Sequence, residues 1–377
     1  MVESVSQEKN SATGHRRTMK YAFGIVGLCL LALTLSSISY NSETNKLARR
    51  NLMGLIDDKR INLNNIPNAV EQGLAHIGFI HIGKCGGVSV NKAILGPKYN
   101  AILARGVRTY HMEKPPDSAI QRLKDWIIAV RDPIERVQSN WVYSHPDNNH
   151  LRRDHSIKGQ WQQRLYECYS TLDEAATIGL TSASQDQAKL GDDFCPSLLR
   201  HVLLGNIEDG QLLHFRRGFR WHLTPLLKNN IIEEKNIYVI RTENMSMDLN
   251  SISRAMGGRE VFGDIPNYPH FVDPETNTVP KELPYGMANR NLSPQGMANL
   301  CWLLCDEIQI YKQVVGLAQN LKWHGDQAHK SIQRLAQHCP KEAADDYDCP
   351  LYDHIANGAA FMKEGIPKDI PLVKEIA

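Results

Sequence analysis

Two short stretches of this 377-residue chain gather residue types that bind phosphate. The first is His81-Ile82-Gly83-Lys84-Cys85-Gly86-Gly87-Val88-Ser89-Val90. A glycine-rich turn that opens a helix presents bare backbone N–H groups at the positive end of the helix dipole, a ready anion site. Lys84 adds a mobile cation and Ser89 a hydroxyl. The order of residues argues against ATP or GTP, because a Walker loop places its lysine after the glycines and Lys84 precedes Gly86 and Gly87. The second stretch is Arg131-Asp132-Pro133-Ile134-Glu135-Arg136-Val137-Gln138-Ser139-Asn140-Trp141. Arg131 offers a guanidinium fork and Ser139, two turns into the following helix, a hydroxyl for a second phosphate. Arg136 falls one turn before Ser139 and reads equally as a partner in that site or as a solvated helix-face arginine.

The surrounding sequence supplies elements to position both stretches. HIGFIHI (His76–Ile82) is a short apolar, β-branched run that ends at a glycine, and a helix starts near Ser89. WIIAV (Trp126–Val130) is a second strand, followed by Asp132 as N-cap and Pro133 at the first helical position, with a helix to about Ser144. A third strand spans Ile237–Ile240 before Arg241-Thr242-Glu243. One long amphipathic helix is expected from Ser293 to about Leu321, with Leu300, Leu303, Leu304, Glu307, Ile308 and Tyr311 in step. Strands alternating with helices predict an α/β fold with a mostly parallel central sheet flanked by helices. In such sheets ligands bind at the carboxyl edge, which is where Arg131 leaves its strand.

Hydrophobic residues make up 42% and charged residues 22%, near the globular average, which excludes a mostly disordered or polytopic membrane chain. A net charge of +2 gives no whole-chain argument for nucleic acid, and no nucleic-acid partner is expected. Tyr21–Tyr40 carries no charge and matches the roughly 20 residues that span a bilayer. Arg16, Arg17 and Lys20 precede it. It reads as a membrane anchor; a cleaved signal peptide, with Ser37 and Ser39 in small-x-small arrangement, is the competing reading. Either one sends the chain into the secretory pathway. Of eight cysteines, Cys29 lies in the apolar segment and Cys85 in the glycine-rich turn. The remaining Cys168, Cys195, Cys301, Cys305, Cys339 and Cys349 suit disulfides in an oxidising lumen, with Cys301 and Cys305 each bridging elsewhere. No CxxC or CxxH spacing appears, and no metal is expected. His145, His150 and His155 recur every five residues around Arg152 and Arg153, a spacing that does not stack on one helix face and reads as a basic loop. The chain divides into a tail (1–20), an anchor (21–40), a polar stem (41–74), a catalytic domain (75–325) and a loop-like, disulfide-stapled C-terminal extension (326–377). Asn244-Met245-Ser246 is a usable glycosylation sequon, whereas Asn291-Leu292-Ser293 is followed by Pro294.

HIGKCGGVSV followed by IIAVRDPIERVQSNW resembles the 5′-phosphosulfate and 3′-phosphate motifs of the Golgi carbohydrate sulfotransferases, especially the heparan sulfate and uronyl 2-O-sulfotransferases. The resemblance is strong over residues 78–145, weaker through Arg241-Thr242-Glu243 and Leu292–Leu321, and absent in the tail. It implies a P-loop-like sulfotransferase fold, a type II Golgi membrane protein with a lumenal domain, and 3′-phosphoadenosine 5′-phosphosulfate as sulfuryl donor. Lys84, Cys85, Gly86, Gly87, Val88 and Ser89 would hold the 5′-phosphosulfate, with Cys85 standing where many members have threonine. Arg131 and Ser139 would hold the 3′-phosphate, and Arg290 in Asn289-Arg290-Asn291 would close on the nucleotide. Sulfuryl transfer needs a base and a cation for the leaving oxygen. His111 is the candidate base, Glu113 its alternative, and Lys84 the cation. Where the 2-O-sulfotransferases show a His-x-His pair, this chain has one histidine. Arg152, Arg153 and the HFRRGFRWH segment with Arg216 and Arg217 offer cations to an anionic glycan acceptor; Phe215, Phe219 and Trp221 read equally as core residues with solvated arginine neighbours. A non-catalytic lumenal glycan-binding or scaffold protein that keeps the nucleotide fold is the alternative.

Overall fold

The computed structural model describes residues 75–94, 102, 106–111, 113–151, 159–180, 194–207, 212–260, 265, 278, 280–322, 327–345 and 348–349. The expected anchor and stem, Arg152, Arg153, His155 and residues 350–377 lie outside them. Among the described residues no helix is long and apolar enough to cross a membrane.

The chain folds as α/β, with four parallel strands in the order β2-β1-β3-β4: β1 Ile77–His81, β2 Val107–Tyr110, β3 Asp125–Val130 and β4 Asn236–Arg241. The two central strands, β1 and β3, are buried almost throughout, as befits continuous apolar runs inside a parallel sheet flanked by helices. Helices follow the strands in chain order: α1 Gly87–Ile94, α2 Asp117–Arg122, α3 Pro133–Tyr143, α4 Gln160–Cys168, α5 Leu172–Ile178, α6 Phe194–Leu203, α7 Leu213–Arg216, α8 Phe219–Leu227, α9 Met245–Ala255, α10 Pro294–Leu303, α11 Cys305–Leu317, α12 Gln319–Lys322 and α13 Gln327–His338. The helix after Arg131 forms as its sequence dictates. Asp132 accepts hydrogen bonds from the N–H groups of Ile134 (2.9 Å) and Glu135 (3.2 Å), and Pro133 fills the first turn, where no N–H is needed.

Three expectations are corrected. The segment 293–321 is not one helix: it breaks at Leu304 and again at Ala318. Leu300, Leu303, Leu304, Ile308 and Tyr311 are all buried, so the apolar period reports a shared buried side and not helical continuity. An additional strand, β2, sits at the sheet edge with polar Arg108 and Thr109 in its middle, which hides it from any apolar-run rule. The C-terminal extension is not all loop, because α13 packs there on α11. Disulfides join Cys168 to Cys195, Cys301 to Cys339 and Cys305 to Cys349, so Cys301 and Cys305 do bridge elsewhere and staple the extension to the domain.

Candidate functional site

β1 pairs with β2 on one side and β3 on the other, although β2 precedes β3 in sequence. The chain runs from β1 to β2 and from β3 to β4 in opposite directions across the sheet, so the crevice between the carboxyl ends of β1 and β3 is a topological switch point. Both phosphate-type motifs start there. The turn after β1 carries Lys84 and Gly86 in left-handed backbone (φ 67° and 69°) and leads into α1. The first N–H groups of a helix have no acceptor within it, and those of α1 belong to Gly87, Val88 and Ser89, just past the carboxyl end of β1. Gly87 is required by crowding: a Cβ there would stand 1.8 Å from the His81 ring. Lys84 is 8% exposed, with Nζ 3.7 Å from the centre of the Tyr143 ring, a cation–π contact that fixes the ammonium over α3. Ser89 is buried at the start of α1.

Cys85 is closed off from solvent. Its thiol is buried under the turn, 3.8 Å from the Gly83 carbonyl, and its N–H donates to the Ile82 carbonyl (3.2 Å). Burial pushes the thiol up to about 12, against the lowering effect of Arg136 and Arg131.

Across the switch point, Arg131 is half-buried with Nε 3.4 Å from Glu135. The turn Met287–Arg290 lies against α3, where Gln138 donates to the Arg290 carbonyl (3.2 Å) beside half-buried Ser139. The Arg290 guanidinium is held below its ordinary value, first by burial and then by Arg131, with Glu135 acting in the opposite direction. Arg131 and Arg290, distant in sequence, therefore lie within electrostatic reach of one another, against the helix that carries Ser139. Arg136 does not join them. It is 1% exposed, paired with Glu307 (3.3 Å) and donating to the His214 carbonyl (2.8 Å). Glu307 in turn accepts from the N–H groups of Phe219 (2.8 Å) and Arg220 (2.9 Å), capping α8. Arg241 is equally structural, bidentate to Asp248 at 2.9 and 2.7 Å.

His111 follows β2, on the other flank of β1. Its ring stacks on His81 at 3.8 Å, and its Nδ1 lies 2.8 Å from the His81 carbonyl oxygen. A carbonyl only accepts, so Nδ1 carries the proton and Nε2 of the neutral ring is the basic nitrogen. His214 stands 5.8 Å from His111 and 5.2 Å from Tyr143. Glu113, the alternative base, is exposed and paired with Arg108 at 2.7 Å. Phe215 and Phe219 are core, as one reading of that segment held, while Arg217 and Lys114 sit 5.1 and 5.3 Å from the Trp221 ring. Arg216 is half-buried, its backbone packed close to Gly205. His145 is no loop residue in solvent: it is buried against Tyr285. Among the described residues no group of three or more His, Cys, Asp or Glu is arranged to hold a metal. The sequence assigns Tyr143 and His214 no role, and no spacing rule joins them; packing brings them to Lys84 and His111.

No family model matches the chain, and neither the curated proteins nor the solved structures provide a significant match.

Proposed function

We propose that the protein is a sulfotransferase that moves a sulfuryl group from 3′-phosphoadenosine 5′-phosphosulfate to a carbohydrate hydroxyl, as a type II Golgi membrane protein with its P-loop-like domain in the lumen. One observation carries the reading: Lys84, His111 and Arg131 stand at the carboxyl ends of three adjacent parallel strands, so two anion-binding elements and a base share one sheet edge. The residues fit the donor. A glycine cradle with Lys84 suits the phosphosulfate, and Arg131, Ser139 and Arg290 suit a separate phosphate.

When bound, the donor supplies the sulfuryl group, whose bond to the 5′-phosphate oxygen breaks as the acceptor oxygen bonds to sulfur. His111 Nε2 takes the proton from the acceptor hydroxyl while its Nδ1–H stays anchored on the His81 carbonyl. Lys84 and the α1 N–H groups stabilise the negative charge that grows on the leaving phosphate oxygen. Arg217 and Lys114, around Trp221, lie on the His111 side and would face an anionic glycan acceptor. The three disulfides are consistent with a lumenal setting. The test is transfer of labelled sulfuryl from the donor to a panel of desulfated glycans by the secreted domain. Label on glycan supports the proposal; donor binding without transfer to any acceptor would favour a scaffold that retains the nucleotide fold.

A further inference from the structure

The C-terminal helix reaches the proposed donor site by a route the sequence did not reveal. Arg334 of α13 is ion-paired through Nη2 to Oε1 of Glu135. The other carboxylate oxygen of Glu135 faces Nε of Arg131 at 3.4 Å. One glutamate thus bridges an arginine of the second phosphate motif and an arginine of the stapled extension. Glu243, just past β4, also lies within electrostatic reach of both Arg334 and Glu135. The Glu135 carboxylate therefore stands close to the guanidiniums of both Arg131 and Arg290. Left alone, it would oppose a dianionic phosphate and hold Arg131 to itself. The helix that brings Arg334 is fixed at its end by the Cys301–Cys339 disulfide and along its length by Arg241, which donates to Ser331 Oγ at 3.2 Å and to the Gln327 carbonyl at 3.3 Å.

We infer that Arg334 is a positioning residue for the donor's 3′-phosphate: by neutralising Glu135 it leaves Arg131 and Arg290 to bind the phosphate. This rests on the reading of Arg131 and Arg290 as the 3′-phosphate site. It makes the C-terminal extension a working part of the nucleotide pocket. Its effect is confined to ligands that carry a 3′-phosphate.

The experiment titrates the disulfide-complete secreted domain with 3′-phosphoadenosine 5′-phosphate and, separately, with adenosine 5′-phosphate. Arg334→Ala weakens the first ligand about five-fold or more and the second far less, since the Glu135 charge it exposes acts on Arg131 and Arg290, which only a 3′-phosphate engages. Arg334→Lys keeps the affinity. Adding Glu135→Gln to Arg334→Ala restores it, which a merely structural role for Arg334 does not predict. An unchanged affinity in Arg334→Ala, an equal loss for both ligands, or a loss that Glu135→Gln fails to rescue overturns the inference. If Arg334→Ala does not fold, Glu135→Gln alone decides: the inference requires it to bind the 3′-phosphate ligand more tightly than wild type, and binding no tighter overturns it. Failure of the wild type to bind either ligand would instead remove the donor reading beneath it.

Discussion

The imidazole of His111 lies flat against that of His81, with ring centres 3.8 Å apart, and bonds through Nδ1 to the carbonyl of the same residue. Strand pairing sets this contact, because β1 and β2 run parallel in register with Ile80 beside Tyr110. The bond selects the tautomer with the proton on Nδ1 and makes Nε2 the nitrogen proposed to act as base. His111→Ala is expected to lower sulfuryl transfer about 100-fold or more, in line with loss of a general base, and to leave donor binding intact. Single-turnover rates beside donor titrations check this. An equal fall in donor affinity would place His111 in binding and not in proton transfer.

Gly87 is the tightest point of the phosphate turn. Its substitution by alanine drives a methyl into the His81 ring, whose own neighbour is His111, so the turn and the base shift together. Gly87→Ala is expected to cost about 1–3 kcal/mol of stability by overpacking and to abolish donor binding. Gly316→Ala is the control, since nothing lies within 4 Å of a Cβ placed there in α11. That change is expected to stabilise by about 0.5–1 kcal/mol. Urea melts of the two variants separate the cases, and equal effects would sink the argument from crowding.

Glu307 ties α3 to the start of α8. Removing it strands the buried Arg136 guanidinium and uncaps α8 in one step. Glu307→Ala is expected to destabilise by about 3–5 kcal/mol, the cost of a broken buried pair. Glu307→Gln keeps an accepting oxygen and should lose less. The order of their denaturation midpoints is the check; a loss under about 1 kcal/mol for Glu307→Ala would mean that Arg136 finds water instead.

His145 gives the fold a pH dependence. Its ring stacks on Tyr285 at 3.5 Å, and its Nδ1 accepts the Asp147 N–H at 3.1 Å, which requires an unprotonated nitrogen. Burial holds it down to about 4, against the raising effect of Asp147. The unfolded chain takes up this proton near pH 6.5, so between roughly 6.5 and 4 it binds more protons than the folded one. Stability contributed by the neutral ring is therefore full above that window and lost as pH falls through it, by about 3 kcal/mol at most. His145→Phe should flatten the acid limb of the stability curve. A variant with the same acid limb as wild type would contradict the assignment.

The parts of the fold that the sequence declared are those set by local rules. β1, β3 and β4 are continuous apolar runs, and α3 carries its own cap and proline. β2 and α13 are held mainly by partners and not by an apolar stripe: β2 by an edge pairing, α13 by Arg241, Arg334 and a disulfide. Their residues look polar because their stabilisation is tertiary. The same division holds for the site. Lys84, Arg131 and His111 sit in motifs or beside a strand end, whereas Tyr143, His214 and Arg334 reach the site only through packing. Arg136 and Arg241 show the converse, since arginines in or beside a motif can be spent on holding the frame.

Binding of a nucleotide through two separate phosphates in the crevice between β1 and β3 is tested most directly by calorimetric titration with 3′-phosphoadenosine 5′-phosphate. The expected result is saturable one-to-one binding, no competition by ATP, and loss of binding in both Lys84→Ala and Arg131→Ala with the folded, disulfide-complete domain retained. A folded domain that gives no heat with this ligand, or binds it equally well after either substitution, would rule out the proposed two-phosphate site.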